Sequence, residues 1–227
     1  MNVPIEGPVV LTVRGQHKLK NTEAARVLHN DTAGSQAGIA AARALGDLSH
    51  KVFVPYGERS GAKPNELLFL DVWVSPDGIG QFFSNPHVNE QGANLFTQKE
   101  PTIWMSARGS FSFHLPAAAN RNERYVGIIR AKLTSAEKAI EDFKKVTQAN
   151  LKTSRLRGQL SHELYIKVPM PGDNGPLELL GIDVWCDAKG MMEQYANPEE
   201  LKGIGASFAG PPDATIWEQA PGNWSEW

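Results

Sequence analysis

The chain has 227 residues, of which 41% are hydrophobic and 21% charged, and this ordinary composition excludes a wholly disordered chain or a long coiled coil. The net charge is −2 at pH 7, so the basic excess of a dedicated nucleic-acid binder is missing and we expect no nucleic-acid partner. No apolar run approaches the roughly 20 residues that span a bilayer, so we expect no membrane partner either.

Cysteine usage and the first residues bear on the cellular compartment. The single cysteine, Cys186, cannot form an internal disulfide, and no motif with zinc-ligand spacing is present, so we expect no metal. The first residues, MNVPIEGPVV, lack the basic stretch and the apolar core of a signal peptide. These features predict a cytoplasmic protein.

The elements come in the same order in each half of the chain. A first strand is predicted at 9–18 and again at 125–131. A helix follows; in the second half Thr134 and Glu137 have the spacing of a capping box, and Gly158 suits the end of that helix. Two further strands, a short helix, a second helical stretch and a last strand complete each half. The order β-α-β-β-α-β is the ferredoxin-like arrangement, so the predicted fold class is α+β.

The two halves are also related in sequence, at a constant spacing of 112 residues. Leu48-Ser49-His50 recurs as Leu160-Ser161-His162, and Asp71-Val72-Trp73 recurs as Asp183-Val184-Trp185. The repetition predicts a duplicated domain. We place the first repeat at residues 1–109, a linker at 110–123 and the second repeat at 124–227.

The second repeat, in particular RLRGQLSHELYIKVP and ELLGIDVWCDAKGMMEQYANPEEL, resembles the antibiotic biosynthesis monooxygenase family. The resemblance implies two ferredoxin-like units that pack sheet to sheet as a dimeric α+β barrel, formed here within one chain. A sheet that is covered by helices on one face needs a partner for the other, which agrees with this implication. Because family members usually pair two subunits, association of two chains as a homodimer is a further expectation.

Strand alternation selects candidate ligand-binding residues. Asp71 and Trp73 share one face of their strand, as Asp183 and Trp185 do in the repeat. We expect the other, apolar face to pack on the helices and these four side chains to point into the barrel. There the tryptophans would bind a flat ligand and the aspartates would act as catalytic groups. The alternative is that both tryptophans are core residues and each aspartate is hydrogen-bonded.

The first helix contains a polar interruption, His29-Asn30-Asp31-Thr32, where the second helix has an apolar face. If Asp31 and His29 point inward they are candidate catalytic residues, because a buried carboxylate needs a partner. Asn, Asp and Gly also favour turns, and we expect an exposed kink with His29 at the surface.

Two more histidines are candidate ligand-binding residues. His50 lies on a strand, where a hydrogen-bonded structural role is the competing interpretation. His87 follows Asn85-Pro86 near a predicted helix, and a histidine near this helix resembles the haem-degrading branch of the family, which uses a helix histidine as iron ligand. The second repeat has Glu199 at the corresponding position.

The resemblance implies a monooxygenase without a cofactor that oxidises a phenol, a quinol or a polyketide-like aromatic with molecular oxygen. The protein would supply an apolar cavity, a proton acceptor and a polar group that stabilises an anion. The alternative is a non-catalytic carrier of a small apolar or aromatic molecule, haem included. Since the first repeat carries more polar candidates, we expect the ligand to lie nearer to it, close to Asp31 or His29.

Overall fold

The computed structural model describes residues 7–58, 60–115, 124–170, 172 and 175–227. Its mixed helix and strand content confirms the predicted α+β class. Among these residues, no helix is long and apolar enough to cross a membrane. Most of the predicted linker, residues 116–123, lies outside the described residues.

The chain forms two compact units. The first contains residues 7–55, 62–105 and 219–227, and the second contains the described parts of 56–61 and 106–218. Each unit therefore includes a short segment from the opposite half of the sequence.

The first unit has an antiparallel sheet with the strand order β4-β1-β3-β2. Its elements in chain order are β1 (Val9–His17), α1 (Thr22–Asn30), α2 (Gln36–Ala44), β2 (Asp47–Pro55), β3 (Glu66–Trp73), α3 (Pro76–Ser84), α4 (Pro86–Leu95) and β4 (Phe96–Ser106). Helix side chains pack on one face of this sheet in a continuous apolar core that includes Leu11, Ala25, Phe69 and Phe82.

The second unit has an antiparallel sheet with the corresponding order β9-β6-β8-β7, to which a two-residue strand is added beside β7. Its elements are β5 (Phe113–His114), β6 (Tyr125–Lys132), α5 (Ala136–Leu156), β7 (Gln159–Lys167), β8 (Glu178–Trp185), α6 (Ala188–Tyr195) and β9 (Asp213–Gln219).

The helix after the first strand differs between the units. In the first unit it stops at Asn30 and restarts at Gln36, which confirms the predicted interruption, whereas α5 is continuous. The predicted capping box is displaced by one residue: Ser135, not Thr134, accepts the hydrogen bond from the Lys138 backbone N–H. The Thr134 hydroxyl instead donates to the carbonyl of Ser207.

The segment after the second helix also differs. The first unit forms α4 there, while residues 198–206 of the second unit form only turns, so the predicted second helical stretch exists in one unit. Gly203 and Gly205 in this segment both have a φ of +100°, which only glycine adopts without strain. The second unit thus has a looped segment, 196–212, where the first unit has a helix.

Candidate functional site

The two tryptophans predicted to point into a barrel instead face the helices of their own units. Trp73 packs on Phe82 of α3, with ring centroids 5.6 Å apart, and Trp185 packs on Tyr195 of α6 at 5.8 Å. Both indoles are almost fully buried. The predicted orientation was wrong because both faces of β3 are apolar: Leu67 and Phe69 continue the Trp73 face, so alternation could not tell which face meets the helices.

A cavity of about 550 Å³ lies in the second unit. Residues of strands β6, β8 and β9, of helices α5 and α6 and of the segment 196–212 line it together with Ser60, and its polar side chains are those of Asp183, Tyr195, Ser60 and Thr215. Its other walls are mostly apolar and include Ile128, Ile129, Phe143, Leu201, Ile204, Phe208 and Ile216. A space of this size with few polar groups is typical of a small-molecule site.

Two glycines let side chains of the cavity wall lie close to the strands. Gly127 on β6 lies opposite Asp183. In the first unit, Leu11 on β1 has the corresponding position opposite Asp71. A Cβ at Gly127 would lie 1.9 Å from the Tyr195 hydroxyl oxygen, so a side chain there would displace the tyrosine.

The second glycine is Gly181, which stands where the first unit has Phe69. A Cβ at Gly181 would lie 2.8 Å from Ile129 Cγ2 and 3.9 Å from Phe143 Cε1, and both of these side chains line the cavity. In the first unit Phe69 holds this position, and its ring contacts the ring of Phe96 at 5.7 Å. The described cavity lies in the second unit, whereas the sequence analysis expected the ligand nearer to the first repeat.

Three donors surround the carboxylate of Asp183. Its Oδ1 accepts from Gln159 Nε2 at 2.8 Å and from His162 Nδ1 at 2.7 Å. Its Oδ2 accepts from the Tyr195 hydroxyl at 2.9 Å. Because the carboxylate is held on both oxygens, its orientation at the cavity wall is set by its neighbours.

Tyr195 is held as a hydrogen-bond donor at the same wall. Its hydroxyl donates to Asp183 and accepts from Trp185 Nε1 at 3.2 Å. Burial, and then the charge of Asp183, raise the pKa of Tyr195 well above its usual value. The phenol therefore keeps its proton at neutral pH and can stabilise negative charge on a ligand.

The first unit has an equivalent His–Asp pair, which lies among aromatic rings. His50 Nδ1 lies 2.6 Å from Asp71 Oδ1, and His50 Nε2 is buried with no hydrogen-bond partner among the described residues. Burial opposes protonation of His50, but the charge and hydrogen bond of Asp71 outweigh it and raise the histidine pKa. Phe83 stands where the second unit has Tyr195, so this pair lacks the tyrosine donor.

His29 and Asp31 differ in exposure: the first is buried and the second is exposed. His29 is only 5% exposed and stacks on His50, with ring centroids 5.1 Å apart, so the expected surface position was wrong. Trp224, from the segment 219–227, packs beside it at 5.6 Å. Burial, and then the charge of His50, lower the pKa of His29 to about 4. Asp31 is exposed at the end of α1, as the kink interpretation predicted.

His87 lies on the exposed side of α4, where its Nε2 is 2.7 Å from Gln91 Nε2. It does not line the described cavity. Within the described ranges, no group of three or more His, Cys, Asp or Glu side chains could hold a metal ion.

Sequence reasoning missed three members of the site: Gln159, His162 and Tyr195. A signal was available for His162, because the spacing of 112 residues relates it to His50, which had been selected. Tyr195 had no such signal, since the residue 112 positions earlier is Phe83, which has no hydroxyl group.

The chain was compared with known proteins. No family model matches the sequence, and no curated protein matches it. Among solved structures, an anthrone oxidase-like protein has a TM-score of 0.65 at 11% identity, over 95% of this chain and 92% of that chain. A mutant chlorite dismutase from Candidatus Nitrospira defluvii has a TM-score of 0.60 at 11% identity, over 98% and 95%.

A third solved structure bears on the resemblance that the sequence suggested. It is an uncharacterized ferredoxin fold protein from Listeria monocytogenes, related to antibiotic biosynthesis monooxygenases, with a TM-score of 0.51 at 12% identity, over 98% of this chain and 100% of that chain. At such identities the likeness shows the fold alone. The chain shares the fold of these proteins, which confirms the resemblance at the level of fold.

Proposed function

We propose that the cavity of the second unit binds a flat phenolic or quinolic aromatic and that the protein is a cofactor-independent monooxygenase. One observation carries the proposal: a cavity of about 550 Å³ has mostly apolar walls, and Asp183 and Tyr195 are hydrogen-bonded to each other in its lining, where Ser60 and Thr215 are the other residues with polar side chains. The fold shared with an anthrone oxidase-like protein supports it. The proposal gives no role at the ligand to Trp73, Trp185, His50 or His87.

The chemistry requires few protein groups. An aromatic that has lost a proton is electron-rich and can react with molecular oxygen directly. For a substrate with a reactive methylene, one oxygen atom becomes the new carbonyl oxygen and the other leaves as water with the two hydrogens. The protein supplies a proton acceptor, Asp183, and a donor to the resulting anion, Tyr195, in a site with little water.

The second candidate function is binding without catalysis. Its haem version does not fit the cavity, because Tyr195 is the one residue among the described lining whose side-chain type ligates haem iron. The Tyr195 hydroxyl already donates a hydrogen bond to Asp183. A carrier of a small aromatic molecule remains the alternative, and it would bind the same ligands without consuming oxygen.

We also propose that the two units are ferredoxin-like repeats that pair sheet to sheet as one barrel within the chain. The equal strand orders of the two sheets support this, as does the fact that the solved structures match nearly the whole chain rather than half of it. Homodimer formation and a cytoplasmic location stay predictions.

Oxygen uptake with dithranol, a three-ring phenol with a reactive methylene, tests the function. We expect the wild-type protein to consume oxygen and Gly181→Phe to lose this activity, because the new ring would collide with Ile129 and Phe143 in the cavity wall. Gly80→Phe is the matched control, since a Cβ at Gly80 meets nothing within 4 Å. Dithranol binding to the wild-type protein without oxygen uptake would favour the carrier.

A further inference from the structure

The hydrogen bonds of Asp183 continue away from the cavity into the sheet. His162 Nδ1 must carry a hydrogen to bond Asp183 Oδ1, because an ionised carboxylate only accepts. The opposite ring nitrogen, Nε2, lies 3.1 Å from the Thr147 hydroxyl oxygen on α5. In the neutral ring Nε2 is the acceptor, so Thr147 donates to it and the tautomer of His162 is set from both sides.

This arrangement leaves one oxygen of Asp183 for the ligand. His162 and Gln159 both occupy Oδ1, and Oδ2 faces Tyr195 at the cavity wall. His162 and Gln159 are each only 5% exposed and neither lines the cavity, so they act on a ligand only through Asp183.

We propose that His162, together with Gln159, is a positioning residue that aims Oδ2 of Asp183 at the ligand hydroxyl, so that Asp183 and Tyr195 work as one acid–base pair. The inference rests on the proposed ligand site in the second unit. His162 and Gln159 do not contact the ligand. They affect the proposed reaction by holding the proton acceptor, Asp183, in the required orientation.

The proton transfer balances without any further reactant. The ligand O–H bond breaks, its proton goes to Asp183 Oδ2, and the electron pair stays on the ligand oxygen. The Tyr195 hydroxyl then loses its acceptor at Oδ2 and turns to donate to the new phenolate. His162 and Gln159 keep their hydrogens on Oδ1 throughout, so they hold the carboxyl group while its charge changes.

The first unit supplies an internal comparison. It keeps a histidine on the aspartate, His50 on Asp71 at 2.6 Å, but has Asp47 in place of Gln159 and Phe83 in place of Tyr195. There the pair is buried in a packed aromatic core. A His–Asp pair inside a packed aromatic core therefore exists in the same molecule, and it serves as the control for the pair at the cavity.

The test uses 2-naphthol, whose hydroxyl becomes strongly acidic on excitation and whose emission shifts when the proton is transferred. In the wild-type protein we expect the bound probe to emit as naphtholate, because Asp183 accepts its proton. Asp183→Asn should remove this emission, and Gly181→Phe should remove binding. His162→Leu should lower the naphtholate-to-naphthol emission ratio about tenfold, the effect of losing one charge-assisted hydrogen bond.

His162→Asn should restore most of the ratio, because its amide can donate to Oδ1. His50→Leu, which removes the equivalent pair of the first unit, should leave the ratio unchanged even if it lowers stability as much. Equal, small effects of His162→Leu and His50→Leu on the ratio would overturn the proposal, as would failure of 2-naphthol to bind. Proton transfer in the cavity without oxygen uptake from dithranol would refute the monooxygenase while leaving this inference intact.

Discussion

At the scale of single residues, the Asp-Val-Trp motif occurs twice in this protein, and its aspartate has different surroundings in the two places. Asp71 and Asp183 stand in the same Asp-Val-Trp sequence, and each is paired with a histidine of the neighbouring strand. Gly127 and Gly181 let Tyr195 and Ile129 lie close against the strands near Asp183, whereas Leu11 and Phe69 hold these positions near Asp71 and belong to the packed core. The two aspartates therefore differ in the side chains that surround them.

The buried His29 predicts a pH dependence of stability. Its pKa of about 4 in the folded protein is below the ordinary value of 6.5, so the folded state disfavours the charged ring. The stability contributed by the neutral ring is present above pH 6.5 and is lost as the pH falls towards 4, by up to about 3 kcal/mol. As the pH falls from 6.5 to 4, we expect the free energy of unfolding of His29→Phe, measured in urea, to rise relative to that of the wild-type protein.

The comparison with wild type is needed because Asp47 titrates with the opposite sign. Burial, and then the charge of Asp71, raise its pKa to about 7, so ionisation of Asp47 removes stability as the pH rises. His87→Phe, at an exposed position, is the control and should show no such trend. A stability difference between His29→Phe and wild type that is constant from pH 7 to pH 4 would contradict the assignment.

At the scale of elements, the helix after the first strand shows how local sequence and packing combine. The interruption at residues 31–35 lets the chain turn between α1 and α2, and it places His29 over His50. In the second unit α5 continues, and its Phe143 and Thr147 lie over Gly181 and His162. The same face of the two sheets is thus covered by different side chains, because one helix is broken.

The exposed end of α1 gives a prediction at this scale. Asp31→Ala should change the free energy of unfolding by less than about 0.5 kcal/mol, because the side chain faces solvent beyond the last helical turn. Ser135→Ala should cost about 1 kcal/mol, since this hydroxyl caps the start of α5. Chemical denaturation of both variants measures the contrast, and equal costs would mean that Asp31 has a partner.

At the scale of the whole molecule, the two units exchange segments of chain. The segment 219–227 belongs to the first unit, where Trp224 is 1% exposed and the backbone of Trp227 makes two hydrogen bonds with that of His50. Residues 56–61, from the first half of the sequence, belong to the second unit. Neither half of the sequence contains all of its own unit.

This exchange predicts the outcome of cutting the chain in the predicted linker, 110–123. The two fragments should stay associated after cleavage, because each completes the other's unit, and they should elute together in size-exclusion chromatography. Trp224→Ala should weaken the association of the cleaved fragments, since it removes a buried ring worth about 3–5 kcal/mol. Fragments that separate and stay folded would contradict both the exchange and the proposed barrel.

The sequence by itself determined the α+β class, most strand positions and the helix break near Asp31. These features depend on local propensity and on periodicity, which a single sequence displays. Only the tertiary structure decided that Trp185 faces a helix, that His29 is buried by Trp224, and that the cavity lies in the second unit. The reason is physical: both strand faces are apolar, and burial and empty space depend on residues distant in sequence, such as Gly127, Gly181 and Tyr195, which meet only when the chain is folded.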